Sequence, residues 1–223
     1  MTVRASGIWV RLGEEDRRDL AALGRPRRYP AGRVLFAQGE RSDHVVLLTG
    51  GRVKVFCTTE DGREPVLGLR GEGDLVGDLA AIDEQDTGRT ATVVAVEPVT
   101  AHEITGAEFR AFLTSHPAAA MELLRTVVGR LKTADRRRIE FGGFETTSRL
   151  AHLLAELADE DGDTAAPNGI EIPFSQEELA AMVGASRESV ARALARLRAE
   201  GLVETRRRGV ALVDVAALRR HGR

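Results

Sequence analysis

The spacing of apolar and polar positions changes period along the chain. Up to about Glu108 the apolar residues come in short runs cut by glycine, as in "VLFAQGE", "HVVLLTGGRVKVF" and "TATVVAVEPVTAHEI". Short apolar runs bounded by turn residues predict strands. Asp61-Gly62, between "VKVFCT" and "PVLGL", is a hairpin signal because a tight primed turn needs residues that tolerate positive φ. Many short strands at this spacing predict an antiparallel roll of jelly-roll type. Most of its glycines read as turn punctuation.

From Ala107 to about Phe141 the period becomes helical. After a start near Ser115-His116-Pro117, Met121, Leu124, Val128 and Leu131 recur at 3-4-3 spacing, and the seam then runs onto Asp135 and Arg138. One reading is a helix packed on its own roll. The preferred one is a dimer helix, since a two-stranded coiled coil wants apolar residues at these positions and the later, polar stretch can face something else. "GGF" at 142–144 breaks the period as a hinge, and "SRLAHLLAELADE" predicts a further helix before the loop "DGDTAAPNG".

Toward the C-terminus a pair of helix starts is legible. Ser175 with Glu178 makes an S-x-x-E capping box, Ser186 is an N-cap for "RESVARALARLRAE", and Gly201 is placed to stop that helix. "VGAS" between them is a tight turn with glycine, as a helix-turn-helix requires. On the second helix Val190, Ala193, Leu194 and Leu197 share one side, while Arg187, Glu188, Ala191, Arg192 and Ala195 share the other. Arginine can pair bidentately with guanine, and glutamate can accept from the cytosine amino group. "LVET-RRRG-VALVD" reads as two strands around a basic turn, a wing whose arginines suit phosphate contacts. The expected fold class is α+β: an N-terminal antiparallel β-roll over 1–114, a dimerisation helix over 115–142 and a winged helix-turn-helix over 143–223.

Composition narrows the chemistry. The chain has 223 residues, room for two modest domains, and a net charge of −2 that neither demands nor forbids nucleic acid. From Pro173 onward ten arginines face six acidic residues, so the C-terminal segment is basic while "ELADEDGD" before it is acidic. A single cysteine, Cys57, excludes an internal disulfide and cysteine-only iron–sulfur or zinc sites. His44, His102, His116, His152 and His221 form no recognisable haem-ligand pair. No nucleophile–base set or nucleotide-hydrolysis motif points to an enzyme. No apolar run approaches the roughly 20 residues of a membrane span, and "MTVRASGIWVRLGEE" lacks a signal-peptide core, so a cytoplasmic protein is expected.

"FSQEELAAMVGASRESVARALARL" resembles the winged helix-turn-helix of the CRP/FNR transcription regulators, whose recognition helix opens S-R-E-[TS]-V-x-R. "YPAGRVLFAQGERSDHVVLLTGGRVKVF" resembles the start of the family's β-roll, and "FRAFLTSHPAAAMELLRTVVGRL" its dimer helix. The resemblance implies a homodimer on double-stranded DNA, with RNA polymerase as a further partner. Arg187, Glu188 and Arg192 would read base edges in a TGTGA-like half-site, and Ser175, Ser186 and Ser189 would contact phosphates.

"VGDLAAIDEQDTGRTA" lies where that family keeps its phosphate-binding cassette, usually G-E-L-A followed by R-S-A or R-T-A. By resemblance Gly77, Asp78 and Leu79 open the cassette, Arg89 holds a cyclic phosphate, Thr90 adds a donor, and Arg130 stands near the same pocket. Asp78 replaces the usual glutamate with a reach one methylene shorter. Receptors for cyclic AMP typically carry Thr-Ser or Thr-Asn on the dimer helix, where this chain has Ala134-Asp135. Asp135 can pair with Arg138, or accept from a base amino group, which guanine offers better than adenine. The ligand therefore stays open between cyclic AMP, cyclic GMP and none. Beside the DNA-binding regulator stand a nucleotide-binding module acting on a protein partner and a ligand-independent regulator with a degenerate pocket.

Overall fold

The computed structural model describes residues 7–60, 62, 64–83, 88–161, 170–206 and 209–221, with 137–143 and 159–161 described by backbone alone. The chain divides into two units, Met1–Thr58 with Leu67–Arg130, and Thr59–Val66 with Leu131–Arg223.

The first unit opens with α1 (Gly7–Arg11) and α2 (Glu14–Leu23). The strands follow as β1 (Arg25–Tyr29), β2 (Val34–Phe36), β3 (Val45–Gly50), β4 (Val53–Phe56), β5 (Val66–Arg70) and β6 (Leu75–Val76). After α3 (Asp78–Ile82) come β7 (Thr92–Ala95) and β8 (Val99–Ile104), then α4 (Gly106–Ser115) and the long α5 (Pro117–Gly143), whose residues from Leu131 onward belong to the second unit. The strands form two four-stranded sheets in the orders β1-β8-β3-β6 and β2-β7-β4-β5. β8 pairs antiparallel with β1 and β3, β3 with β6, and β7 with β2 and β4, as an antiparallel roll requires.

The "VVLL" run of β3 shows why this sequence needs two layers around one sheet. Val46 and Leu48 enter a core with Phe36, Val53, Val93 and Ala101, which is shared by both sheets. Val45 and Leu47, pointing the other way by the period of two, enter a second core with Ile8, Leu20, Phe109 and Leu123 from α1, α2, α4 and α5. The strand-only expectation for this region missed α1, α2 and α3. Those helices are short, and their few apolar residues are spent covering the outer face of that sheet. Thr105 and Glu108 close a capping box that starts α4, and Pro117 opens α5 where a missing N–H is harmless. Trp9 N–H donates to the Gly73 carbonyl at 3.1 Å, and Arg11 pairs with Glu122 at 3.2 Å, so α1 grips both the sheet and α5.

The second unit contains α6 (Thr146–Asp161), β9 (Ile170–Ile172), α7 (Gln176–Val183), α8 (Arg187–Ala199), β10 (Val203–Arg206), β11 (Gly209–Leu212) and α9 (Val215–His221). Leu150, Leu154 and Leu157 of α6 are fully buried with Leu179, Val190 and Leu197 of the helix-turn-helix. The two wing strands pair antiparallel as the sequence predicts, and β9 adds a third strand, in the order β10-β11-β9. Of the expected hairpin, Gly62 has φ of +78°, and Asp61 lies outside the described residues. No helix among the described residues is long and apolar enough to cross a membrane.

Candidate functional site

The helix-turn-helix is built from caps. Ser175 Oγ accepts from the Glu178 N–H at 3.2 Å, and the Glu178 carboxylate accepts from the Ser175 N–H at 2.9 Å. Gly184 ends α7 in the left-handed region, and Ser186 Oγ accepts from the Ser189 N–H at 3.2 Å to start α8. At the far end Gly201 N–H donates to Arg198 and Leu202 N–H to Leu197, a Schellman closure that satisfies the last carbonyls.

Capping fixes the rotation of α8. Val190, Ala193, Leu194 and Leu197 are buried, while Arg187, Glu188 and Arg192 are exposed. Arg192 Nη2 donates to Ser189 Oγ at 3.0 Å. A bond to its own backbone N–H, then one to the Ser186 hydroxyl, hold the Glu188 carboxyl below the usual carboxylate range. The exposed face of α8 thus carries the Glu188 acceptor between the Arg187 and Arg192 donors. On the wing, Arg206 lies 3.6 Å from Glu171, and Arg207 and Arg208 lie outside the described residues.

In the first unit, Gly77 (φ +82°) caps α3, and a Cβ there would meet Arg89 Nη1 at 2.7 Å and the His44 carbonyl oxygen at 2.9 Å, so only glycine fits. Asp78 and Arg89 are each 3% exposed, the only buried charged side chains among the described residues. Asp78 Oδ2 accepts from Arg130 Nη1 at 2.9 Å. Arg89 donates to Ser42 Oγ, the Gly77 carbonyl and the His44 carbonyl at 2.9, 3.2 and 2.7 Å, and its guanidinium lies 3.9 Å over the Phe36 ring. Burial pushes its pKa down; Glu40 and Asp43 oppose this from a distance, and no ion pair to Arg89 exists among the described residues. Thr90 and Leu79 are exposed. Cys57 is half-buried; its Sγ donates to the Thr90 carbonyl at 3.4 Å, and burial pushes its thiol up.

The structure therefore brings Gly77, Asp78, Arg89 and Arg130 into one cluster. It adds Ser42 and His44, which the sequence pattern does not single out. They stand 47 and 45 positions before Arg89 in a polar loop, and nothing in "GERSDH" marks them as its partners.

On α5, Ala119 and Leu123 pack into the core of their own unit. Met121, Leu124 and Val128 are 49%, 54% and 39% exposed, so this stripe is not used by its own roll, and Leu131, in the second unit, is 60% exposed. Ala134 and Asp135 are exposed on the stretch of α5 assigned to the second unit; the Arg138 side chain lies outside the described ones.

A family model described as a cyclic nucleotide-binding domain matches residues 26–116, and one described as a Crp-like helix-turn-helix domain matches residues 148–221. The cAMP-activated global transcriptional regulator CRP of Pasteurella multocida is 30% identical over 176 residues, covering 79% of this chain and 84% of its own. The CRP-like cAMP-activated global transcriptional regulator of Mycobacterium tuberculosis is 29% identical over 197 residues, 87% of either chain. Among solved structures, the c-di-GMP responsive global regulator CLP of Xanthomonas campestris matches with a TM-score of 0.73 at 27% identity, covering 91% of this chain and 100% of that one.

Proposed function

The chain belongs to the CRP/FNR family of transcription regulators, and on that premise we propose that it works as a homodimer reading a TGTGA-like palindrome with α8 in the major groove. The observation that carries this is the division of α8, whose buried face fixes the helix while Arg187, Glu188 and Arg192 are left exposed. Arginine donors and a glutamate acceptor on one helix face suit the edges of G·C pairs. Ser175, Ser186 and Ser189 sit at helix starts, where hydroxyls and backbone N–H groups suit phosphates.

Two copies would join through Met121, Leu124, Val128 and Leu131. Covering each half-exposed side chain contributes roughly 1 kcal/mol, and each copy supplies all four. The recognition helices would then enter successive major grooves about one turn of DNA apart.

The cassette around Arg89 would be the sensor. A buried guanidinium with no ion-pair partner among the described residues favours an anion, and a cyclic phosphate supplies one. Asp78 would accept from a ribose hydroxyl, with Arg130 behind it. Cyclic AMP and cyclic GMP are the ligand class. The Xanthomonas regulator responds to c-di-GMP, so that dinucleotide belongs in the same screen. A ligand-independent regulator is the second reading, favoured by the protein acceptors that already occupy Arg89.

A gel shift tests the function. Duplexes carrying two TGTGA-type half-sites should bind far more tightly than the same duplex with one half-site scrambled, and moving the half-sites half a turn apart should remove the gain. Equal binding to all three would favour a module that acts on a protein partner.

A further inference from the structure

Arg89 is folded back onto its own unit by groups distant in sequence. Its Nε–H donates to Ser42 Oγ at 2.9 Å, and Nη2 donates to the His44 carbonyl at 2.7 Å. The same Nη2 lies 3.4 Å from Nδ1 of the His44 ring, which packs at 4.9 Å against the Phe36 ring. A guanidinium has no lone pair to offer, so a hydrogen bond here requires Nδ1 to be the bare nitrogen, with the ring proton on Nε2. Nε2 faces Glu103, whose Oε2 is 4.0 Å away. This contact exists only with a neutral His44. Protonation would turn Nδ1 into a donor aimed at another donor and set two cations side by side.

We propose that Ser42 and His44 are positioning residues that hold Arg89 against the protein, and that an anion engages Arg89 together with uptake of a proton by His44. This rests on the reading of the cassette as an anion pocket. An oxyanion arriving at the guanidinium competes with the acceptors that already hold it. Once there, it neutralises the charge that opposes an imidazolium at His44.

The surroundings are consistent with that linkage. Burial first, then Arg89, keep the His44 imidazole below its ordinary value, while Glu103 on β8 and Glu40 and Asp43 on its own loop pull the other way. Arg27 on β1 holds Oε1 of the same Glu103 at 3.0 Å, so that carboxylate is already shared. With Arg89 neutralised by a ligand, the pull of the three carboxylates is no longer opposed by its charge. Proton binding and anion binding then favour one another, and the anion binds more tightly as pH falls.

Calorimetric titrations of the full chain with cyclic AMP, cyclic GMP and inorganic sulfate, whose charges do not change between about pH 8 and about pH 5.5, test this at those two pH values beside an NMR titration of the His44 ring. If the bound anion raises the His44 pKa by one unit, affinity rises toward the acid end, by at most about tenfold once the pH lies below both pKa values. His44→Asn keeps an acceptor near the Nδ1 position but cannot titrate, so its affinity should not show that rise. Should that variant fail to fold, the wild-type profile and the ring titration carry the test, together with Arg89→Gln, which should raise the His44 pKa in the free protein. Binding that gains nothing toward acid, an equal gain in His44→Asn, or a His44 pKa unmoved by Arg89→Gln would each overturn the proposal while leaving the pocket intact. If none of the three anions binds at either pH, the pocket reading fails and the proposal fails with it.

Discussion

Arg130 on α5 and Asp78 at the first position of α3 form an ion pair at 2.9 Å, and Arg130 also donates to the Leu75 carbonyl at 3.2 Å. The helix is thereby fastened to the residues that open the cassette. A ligand hydroxyl at Asp78 would share the carboxylate that holds α5.

That pair should matter for stability, because Asp78 is buried. Arg130→Ala leaves its carboxylate without this partner and should cost roughly 3 kcal/mol in urea unfolding. The double change Asp78→Asn with Arg130→Ala should cost clearly less than Arg130→Ala alone, with Asp78→Asn closing the cycle. Strict additivity in the cycle would show that the two residues act independently.

What the sequence made legible was local, and what it hid was distant. The Ser175–Glu178 box, the Ser186 cap, the Gly201 stop and the two faces of α8 depend on neighbours within a turn or two of helix, so spacing alone predicts them. The apolar run of β3 is equally plain, but not that helices would cover its outer face. The Thr105–Glu108 box has the same T-x-x-E form and went unread, because the strand pattern before it drew the boundary at a later residue. The cassette is read from resemblance alone. The partners of Arg89 could not be, since Ser42 and His44 reach it only through the closing of the roll.

Ser186 offers a way to separate folding from DNA contact. Its hydroxyl caps α8, so Ser186→Ala should lose about 1 kcal/mol of stability. Ser186→Asp retains a good cap and should remain within about 0.5 kcal/mol of wild type, yet weaken binding to specific and random DNA alike by repelling phosphates. Full DNA affinity in the aspartate variant would remove Ser186 from the phosphate contacts.

The exposed seam of α5 predicts the assembly. Leu124→Glu with Leu131→Glu should give monomers in sedimentation, and the monomer should retain its fold because both side chains are exposed in the single chain. A double variant that sediments as a dimer would place the interface elsewhere.

Ala134 and Asp135 predict the ligand preference. Ala134→Thr with Asp135→Ser supplies the hydroxyls typical of cyclic AMP receptors, and cyclic AMP binding should strengthen about tenfold. Arg89→Gln in that background should remove the gain. Micromolar or tighter binding of cyclic AMP by the unaltered chain, with clear stimulation of DNA binding, would show that these two positions do not set the preference.

The most direct test of a base-reading α8 is Arg192→Ala, followed by fluorescence anisotropy on a TGTGA palindrome and on random DNA at one fixed salt concentration. Loss of about 1–3 kcal/mol on the palindrome, with random DNA bound almost as before, is the predicted result. An equal loss on both duplexes would contradict it and reduce Arg192 to a phosphate contact.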